Sequence, residues 1–258
     1  MTPIRPGKTC CSTLLLMVAL LLCAGCGKPE KEYYFGGGVR TVFSYNSRGQ
    51  LDGTIKHYST HGKLWKDETW KDGTKEGLTL TYDDQGRILS RVMFADGSEN
   101  GPFTTFYDNG SIEIQGNYSN GILEGPYKKQ HKNGVLAAEV LYVKDKKEGP
   151  ETLYYESGMP KKNAYYTAGE LQCAVIEFYE SGAVHLVQGY RNDKKNGFTK
   201  EYFESGLVKA EILFRRGENV ASIEFDESGK IIKSTDEKKD FDFLEHIPRL
   251  KPLLEWGD

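Results

Sequence analysis

The chain has 258 residues, of which 28% are charged and 38% hydrophobic, with a formal net charge of −3. Mild acidity without a basic block disfavours nucleic acid as a partner. Four of the five cysteines precede residue 27, which leaves Cys173 alone in the rest of the chain and excludes a disulfide framework.

The N-terminal 25 residues have the pattern of a secretory signal. A basic start precedes the apolar run 14–22, and the small pair Ala24-Gly25 precedes Cys26. The apolar run is shorter than the roughly 18 to 20 residues that a membrane span requires. We therefore expect residues 1–25 to be a signal peptide rather than a membrane anchor.

Residues 22–26 resemble the lipobox of bacterial lipoproteins, although Cys23 stands where that family usually has leucine. The resemblance implies that Cys26 is acylated, for example by palmitate, and becomes the first residue. Each buried CH₂ contributes roughly 0.8 kcal/mol, so several acyl chains would hold the protein on a membrane surface. By the family's sorting tendency, Gly27 implies the outer membrane of the cell envelope, facing the periplasm.

Residues 26–42 are predicted to form a lipidated tether. A polar start is followed by Tyr33-Tyr34-Phe35 and then by three glycines, 36–38. Glycine-rich segments of this kind are flexible in solution. We therefore expect little structure from residue 28 to about residue 38.

The chain from residue 43 to residue 233 repeats with a period of 24. A glycine closes a polar turn at Gly53, Gly77, Gly101, Gly125, Gly149 and Gly197, and Cys173 and Ala221 hold the two intervening positions. Self-similarity at a fixed period is the signature of a repeat architecture. We count about eight copies.

Two kinds of turn alternate within each copy. Nine residues after the first glycine comes a second one, usually preceded by Asn or Ser, as in Asn109-Gly110. A further turn such as Asp72-Gly73 joins one copy to the next, with Asp145 in place of glycine at one link and Asp193 at another. Such pairs between alternating segments indicate β-hairpins. The fold class is therefore all-β: an elongated, single-layer antiparallel β-meander of about eight hairpin repeats and up to sixteen strands.

Aromatic residues recur at the same place in each repeat. One ladder includes Tyr58, Tyr82, Tyr154 and Tyr202, and another includes Tyr118, Tyr142, Tyr166 and Tyr190. Tyrosine suits half-buried positions where the ring is packed and the hydroxyl contacts water. The rings could simply be the packed face of the sheet, but a single layer leaves much of that face open, so we take Tyr118, Tyr142, Tyr166 and Tyr190 as a candidate binding surface.

Residues 234–258 are expected to cap the end of the array. Ser234 followed three residues later by Glu237 fits a capping box, and an apolar stretch ends before Pro248. The exposed edge of a sheet invites aggregation and needs a cover. The pattern predicts a short C-terminal capping helix and a tail.

The repeat unit, exemplified by Asn109-Gly110 and by Asn120-Gly121 through Glu124-Gly125, resembles the MORN repeat variant. It is similar to the bacterial group in which such repeats are often labelled as the antitoxin component of a toxin–antitoxin pair. The resemblance covers about residues 43–233 and implies curved sheets that serve as scaffolds or as contacts to membranes and proteins.

No catalytic motif and no metal or cofactor site is predicted. His57 and His61 are the only histidines close in sequence, and they straddle a strand end. Cys173 is expected to be a buried small residue. The leading hypothesis is a lipid-anchored scaffold that binds a protein or an envelope polymer, and its narrower form is an antitoxin-like or immunity lipoprotein. An enzyme acting on envelope polymers is the competing class.

Overall fold

A computed structural model describes residues 27–236, so residues 1–25, which were expected to form a signal peptide, Cys26 and residues 237–258 lie outside the described part. The described residues form one 19-stranded antiparallel sheet. The first ten strands are β1 Glu30–Tyr33, β2 Val39–Phe43, β3 Gly53–Tyr58, β4 Leu64–Lys71, β5 Thr74–Tyr82, β6 Ile88–Ala95, β7 Ser98–Phe106, β8 Ile112–Ser119, β9 Ile122–Leu123 and β10 Gly125–Gln130. The remaining nine are β11 Leu136–Val143, β12 Lys146–Tyr154, β13 Pro160–Thr167, β14 Glu170–Phe178, β15 Val184–Arg191, β16 Lys194–Tyr202, β17 Val208–Arg215, β18 Glu218–Phe225 and β19 Ile231–Asp236.

The sheet is a meander in which strands pair with their neighbours in the chain. Within residues 27–236, β1 pairs only with β2 and β19 only with β18, so these two strands are the edges of the described sheet. β9 and β10 are two parts of one strand interrupted at Glu124, and both pair with β8. The predicted all-β antiparallel meander is confirmed.

The links between repeats are two-residue turns in which both residues have positive φ. At the first link these values are 50° for Asp72 and 82° for Gly73, and the flanking residues Lys71 and Thr74 pair. Two consecutive positive φ angles define the type I′ turn, whose twist matches that of the adjoining strands. The other links are 96–97, 120–121, 144–145, 168–169, 192–193 and 216–217.

The repeat glycines lie within strands at positions where the strand pairing is irregular. Gly77 has a φ of 85°, and the register of β4 with β5 shifts between Glu68 and Trp70, opposite this glycine. A bulge of this type places one residue in the left-handed region, which glycine occupies without steric cost.

Consecutive repeats are joined by a hydrogen bond that the sequence analysis missed. The hydroxyl of Tyr107 donates to the carbonyl of Gln130, 23 residues later, at 2.8 Å. The following copies repeat this bond from His131, Tyr155 and Tyr179 to the carbonyls of Tyr154, Phe178 and Tyr202, at 2.9, 2.7 and 2.8 Å. We call these bonds the inter-repeat latches.

Most of the buried side chains form one row across the middle of the sheet, and a separate hydrophobic cluster of Leu213, Ala221 and Ile223 lies in β17 and β18. Ile55 pairs with Glu68, Glu68 with Thr79, and Thr79 with Val92, and the row continues in this way from strand to strand. Its members less than a tenth exposed are Ile55, Glu68, Thr79, Phe103, Val140, Glu151, Ala164, Val175, Gln188, Thr199 and Ser222. We call this the buried row.

Three expectations need correction. Residues 27–236 contain no helix, and Ser234, expected to cap one, lies in β19, where it pairs with Ile223. Residues 237–258 lie outside the described part. The expected tether is not unstructured throughout, because β1 and β2 pair within and beyond it. The sheet also has more than the sixteen strands expected from eight hairpins. No helix of membrane-spanning length and apolarity occurs in the part described.

Candidate functional site

The candidate tyrosines share one side of the sheet with the buried row. Tyr118 follows Gly116 by two residues, and Gly116 pairs with Phe103 of the row. Alternate residues of a strand point to the same side. Tyr166 confirms this placement, because its hydroxyl lies 3.2 Å from the buried carboxylate of Glu151. We call this side the aromatic face.

The rings of the candidate surface are half-buried and packed against neighbours. The Tyr118 ring lies 4.7 Å from that of Phe103, and the Tyr142 ring lies 5.4 Å from that of Tyr127, between centroids. Burial raises the pKa of the Tyr118 hydroxyl, and the carboxylate of Glu99 adds to the effect. The rings are therefore held in place while part of each remains open to a partner.

The two aromatic ladders lie on opposite sides of the sheet. The hydroxyl of Tyr154 donates to Glu139 at 3.0 Å, and Glu139 pairs with Thr152, the residue next to Glu151. The ladder of Tyr58, Tyr82, Tyr154 and Tyr202 thus belongs with Glu139 to the face opposite the aromatic face. The register of β12 with β13 also shifts between Leu153 and Tyr154.

A charged cluster marks the first repeat on the aromatic face. Glu68, 6% exposed, accepts hydrogen bonds on Oε1 from Lys66 at 2.6 Å and Lys75 at 2.9 Å, and on Oε2 from His57 at 3.1 Å. Burial alone would raise the pKa of Glu68, but the bonds from Lys66, Lys75 and His57 outweigh it and lower the pKa to about 2. Glu68 is therefore ionised at neutral pH.

A cleft of about 360 Å³ opens beside this cluster. Its lining includes the buried residues Thr41 and Ile55, the imidazole of His57, and the indole rings of Trp65 and Trp70. The imidazole packs on Trp65 with 5.5 Å between ring centroids. Small-ligand sites combine aromatic walls with a few placed polar groups in this way. We call this space the N-terminal cleft.

Sequence reasoning did not identify the residues of the N-terminal cleft, although a signal was present. At 24-residue intervals from Glu68 the buried row carries Val92, Gly116, Val140, Ala164, Gln188 and Ile212. Glu68 is the single ionisable residue in this series. Because the equivalent position is uncharged in every later repeat, the charge of Glu68 distinguishes the first repeat from the others.

The remaining predicted residues are distributed along the array. The six repeat glycines all have positive φ. Cys173 replaces such a glycine, with a φ of 61°, and its thiol is exposed, so the expectation of a buried residue was wrong. Among residues 27–236, no group of His, Cys, Asp or Glu side chains is arranged to hold a metal ion. Cys26 lies outside the described residues.

Four segments of the chain, residues 51–72, 99–120, 123–144 and 147–172, match the MORN repeat variant. No curated protein matches the chain.

Two solved structures have local similarity to the chain. The first is a porin-like protein from Bacteroides uniformis, with 13% identity over 69% of this chain and 85% of that chain and a TM-score of 0.23. The second is the TcdB2-TccC3-Cdc42 structure, with 11% identity over 81% of this chain and 15% of that chain and a TM-score of 0.20. These TM-scores establish neither a shared fold nor a shared function. The chain is a repeat protein in which four segments match the MORN repeat variant.

Proposed function

We propose that the protein is a lipid-anchored, non-catalytic scaffold whose aromatic face binds a protein or an envelope polymer. The observation that carries this proposal is the ladder of Tyr118, Tyr142, Tyr166 and Tyr190, half-buried on one face of a single-layer sheet. Successive rungs are two strands apart, or about 9.6 Å at the usual strand spacing. An extended partner would meet an equivalent ring at each step.

The anchor in this proposal is the acylated Cys26, followed after a few residues by β1. The lipobox resemblance supports this assignment, and the same resemblance supports an outer-membrane location facing the periplasm. Acylation of one cysteine by several chains would keep the array on the membrane. Metabolic labelling with palmitate tests the assignment, because Cys26→Ser should abolish incorporation while Cys23→Ser should not.

The non-catalytic part of the proposal is supported by the state of Glu68. A general acid must carry a proton near neutral pH, and a carboxyl group with a pKa of about 2 does not. Its oxygens are occupied by Lys66, Lys75 and His57. This carboxylate is therefore suited to holding its neighbours in place and not to acting as a general acid.

The binding face can be tested by capture from an envelope extract with the full lipidated chain in detergent. We expect a variant with Tyr118, Tyr142 and Tyr166 changed to serine to lose the captured partner. The matched control changes Tyr82, Tyr154 and Tyr202 on the opposite face to serine, and circular dichroism checks the folding of both variants. Equal capture by both folded variants would refute the assignment of the face.

The narrower form of the proposal is an antitoxin-like or immunity lipoprotein that neutralises a cognate toxin. The resemblance of the repeats to that bacterial group supports it. Coexpression with the product of a neighbouring toxin-like gene is the test. Protection that disappears with the three-tyrosine variant of the aromatic face would favour this form, whereas toxicity unaffected by the wild-type chain would exclude it.

A further inference from the structure

The first repeat has features that the general scaffold does not require. Trp65 and Trp70, two of the three tryptophans of the chain, line the N-terminal cleft. Later copies have Tyr or Phe in place of Trp70, as in Phe94 and Tyr118, and an uncharged residue in place of Glu68. Because those copies form the same strands without these groups, the groups are not needed for the repeat fold.

The N-terminal cleft has the size and walls of a small-ligand site. Its volume of about 360 Å³ falls within the range of small-molecule pockets, roughly 300 to 1,000 Å³. Trp65 is 45% exposed, and Tyr45, also in the lining, is 36% exposed. Exposed flat rings above the buried floor of a cleft can stack on the apolar face of a ring-shaped ligand.

The charge around the cleft favours an anion. Residues 27–63 contain six basic and three acidic residues, whereas residues 64–258 contain 26 and 34. Within the cluster, the charge of Glu68 is opposed by those of Lys66 and Lys75. Arg40, which is exposed, lines the cleft together with the carboxylates of Glu32 and Glu68. With Lys66 and Lys75 bound to Glu68, three basic groups therefore stand against two carboxylates. A guanidinium in such a setting matches a carboxylate in geometry as well as in charge.

Trp70, which lines the cleft, also has an unused hydrogen-bond donor. The indole Nε1 of Trp70 is buried and has no partner in the described structure. A buried donor without a partner costs free energy, and a ligand oxygen would remove that cost. Indole nitrogen only donates, so the matching ligand atom is an acceptor such as a hydroxyl or ring oxygen.

From these features we infer that the N-terminal cleft binds an acidic saccharide, a pyranose ring that carries a carboxylate. The ring stacks on Trp65, the carboxylate pairs with Arg40, and a sugar oxygen accepts from Nε1 of Trp70. This site is separate from the tyrosine ladder, and its occupancy does not depend on the partner of that ladder.

The test compares N-acetylmuramic acid with N-acetylglucosamine, which lacks the lactyl carboxylate. Binding to the full chain in detergent is followed by saturation-transfer NMR and by tryptophan fluorescence, in a Trp256→Phe background so that only Trp65 and Trp70 report. We expect the acidic sugar to bind about tenfold more tightly than the neutral one, the usual scale of a charge-assisted hydrogen bond.

Two variants locate the site with matched controls. Trp70→Phe keeps a residue that later repeats use and removes the N–H, so it should fold and bind about tenfold more weakly. Arg40→Gln should remove the preference for the acidic sugar, while Lys31→Gln, which removes the same charge from β1, should keep it. Equal binding of both sugars, binding of neither, or an unchanged preference in Arg40→Gln would each overturn the inference.

Discussion

The hydroxyl of Tyr155 donates a hydrogen bond to the backbone carbonyl of Phe178, 23 residues further along the chain, at 2.7 Å. Tyr107 makes the same bond to Gln130, so the bond belongs to the repeat rather than to one local contact. Phe203 has the equivalent position two copies after Tyr155. The ring is therefore compatible with this position even without the hydroxyl.

Removing one inter-repeat latch should weaken the array measurably. Tyr155→Phe deletes the hydroxyl and leaves the carbonyl of Phe178 without that donor, so we expect the free energy of unfolding to fall by about 1 kcal/mol. Urea denaturation followed by circular dichroism measures the change. The control is Tyr165→Phe, because Tyr165 is 45% exposed and is not part of a latch; an equal loss in the control would contradict the role of the latch.

Glu68 should make stability depend on pH in the acid range. Its pKa is lowered from 4.5 to about 2 in the folded chain, so between these values the unfolded chain binds more protons than the folded one. The stabilisation is therefore fully present above about pH 4.5 and is lost as the pH falls towards 2, with an upper limit of about 3 kcal/mol. Urea titrations at a series of pH values measure this loss.

The variant Glu68→Gln should lack this part of the pH dependence while remaining less stable than the wild type at pH 7. Glu180→Gln is the matched control, since Glu180 is exposed at a turn and its replacement should leave the acid profile close to that of the wild type. If Glu68→Gln had the same acid profile as the wild type, the cluster would not account for the acid sensitivity.

Replacing Cys173 with glycine should relieve the backbone strain at this position. A φ of 61° costs a side-chain-bearing residue roughly 1 to 2 kcal/mol, part of which the larger unfolded-state entropy of glycine cancels. We expect Cys173→Gly to stabilise the fold by about 0.5 kcal/mol. The converse change, Gly149→Ala, should destabilise it by about 1 kcal/mol, and no atom near Gly149 would clash with the added methyl group. Stabilisation by Gly149→Ala would refute this explanation.

Asp145 shows how a link turn can do without glycine. Its carboxylate accepts from the backbone N–H of Leu123 at 2.7 Å, and Asp193 does the same with Leu171. Asp145→Ala loses this bond and keeps a positive φ of 62°, so we expect a loss of about 2 kcal/mol. Asp145→Gly loses the bond but fits the turn, so its loss should be about half as large; equal losses in thermal unfolding would contradict this account.

The parts of the fold that depend on local chemistry could be predicted from the sequence. Pairs such as Asp72-Gly73 indicate positive φ directly, because few other residues accept it. Their regular spacing then requires alternating antiparallel strands. The period of 24 also placed the glycines of the bulges, although the bulges themselves were interpreted as the ends of turns.

Features that depend on register could not be predicted in the same way. Tyr154 lies three residues after Glu151, and the shift between Leu153 and Tyr154 occurs where β12 meets the next turn. Alternation within one strand does not extend across such a shift or across the adjoining turn. For this reason the sequence did not establish that the two tyrosine ladders lie on opposite faces.

The cluster around Glu68 was missed because its partners come from three strands. His57 is in β3, Lys66 in β4 and Lys75 in β5. Their separations in sequence match no known motif, and only the pairing of the strands brings the three side chains to one carboxylate. Comparing each residue with its equivalents 24 positions away is the sequence test that would have found it.

Because each strand pairs with its neighbours in sequence, the array has a low contact order, a property associated with rapid folding. It also means that the seams between repeats share one turn geometry and one pattern of strand pairing, although the latch is absent where Phe203 holds its position. Duplication or deletion of 24 residues within the gene would therefore create no new kind of junction. Each such event would change the length of the sheet by about 9.6 Å, twice the strand spacing. The length of the molecule can therefore change by one repeat at a time while the side-chain packing within each repeat stays the same.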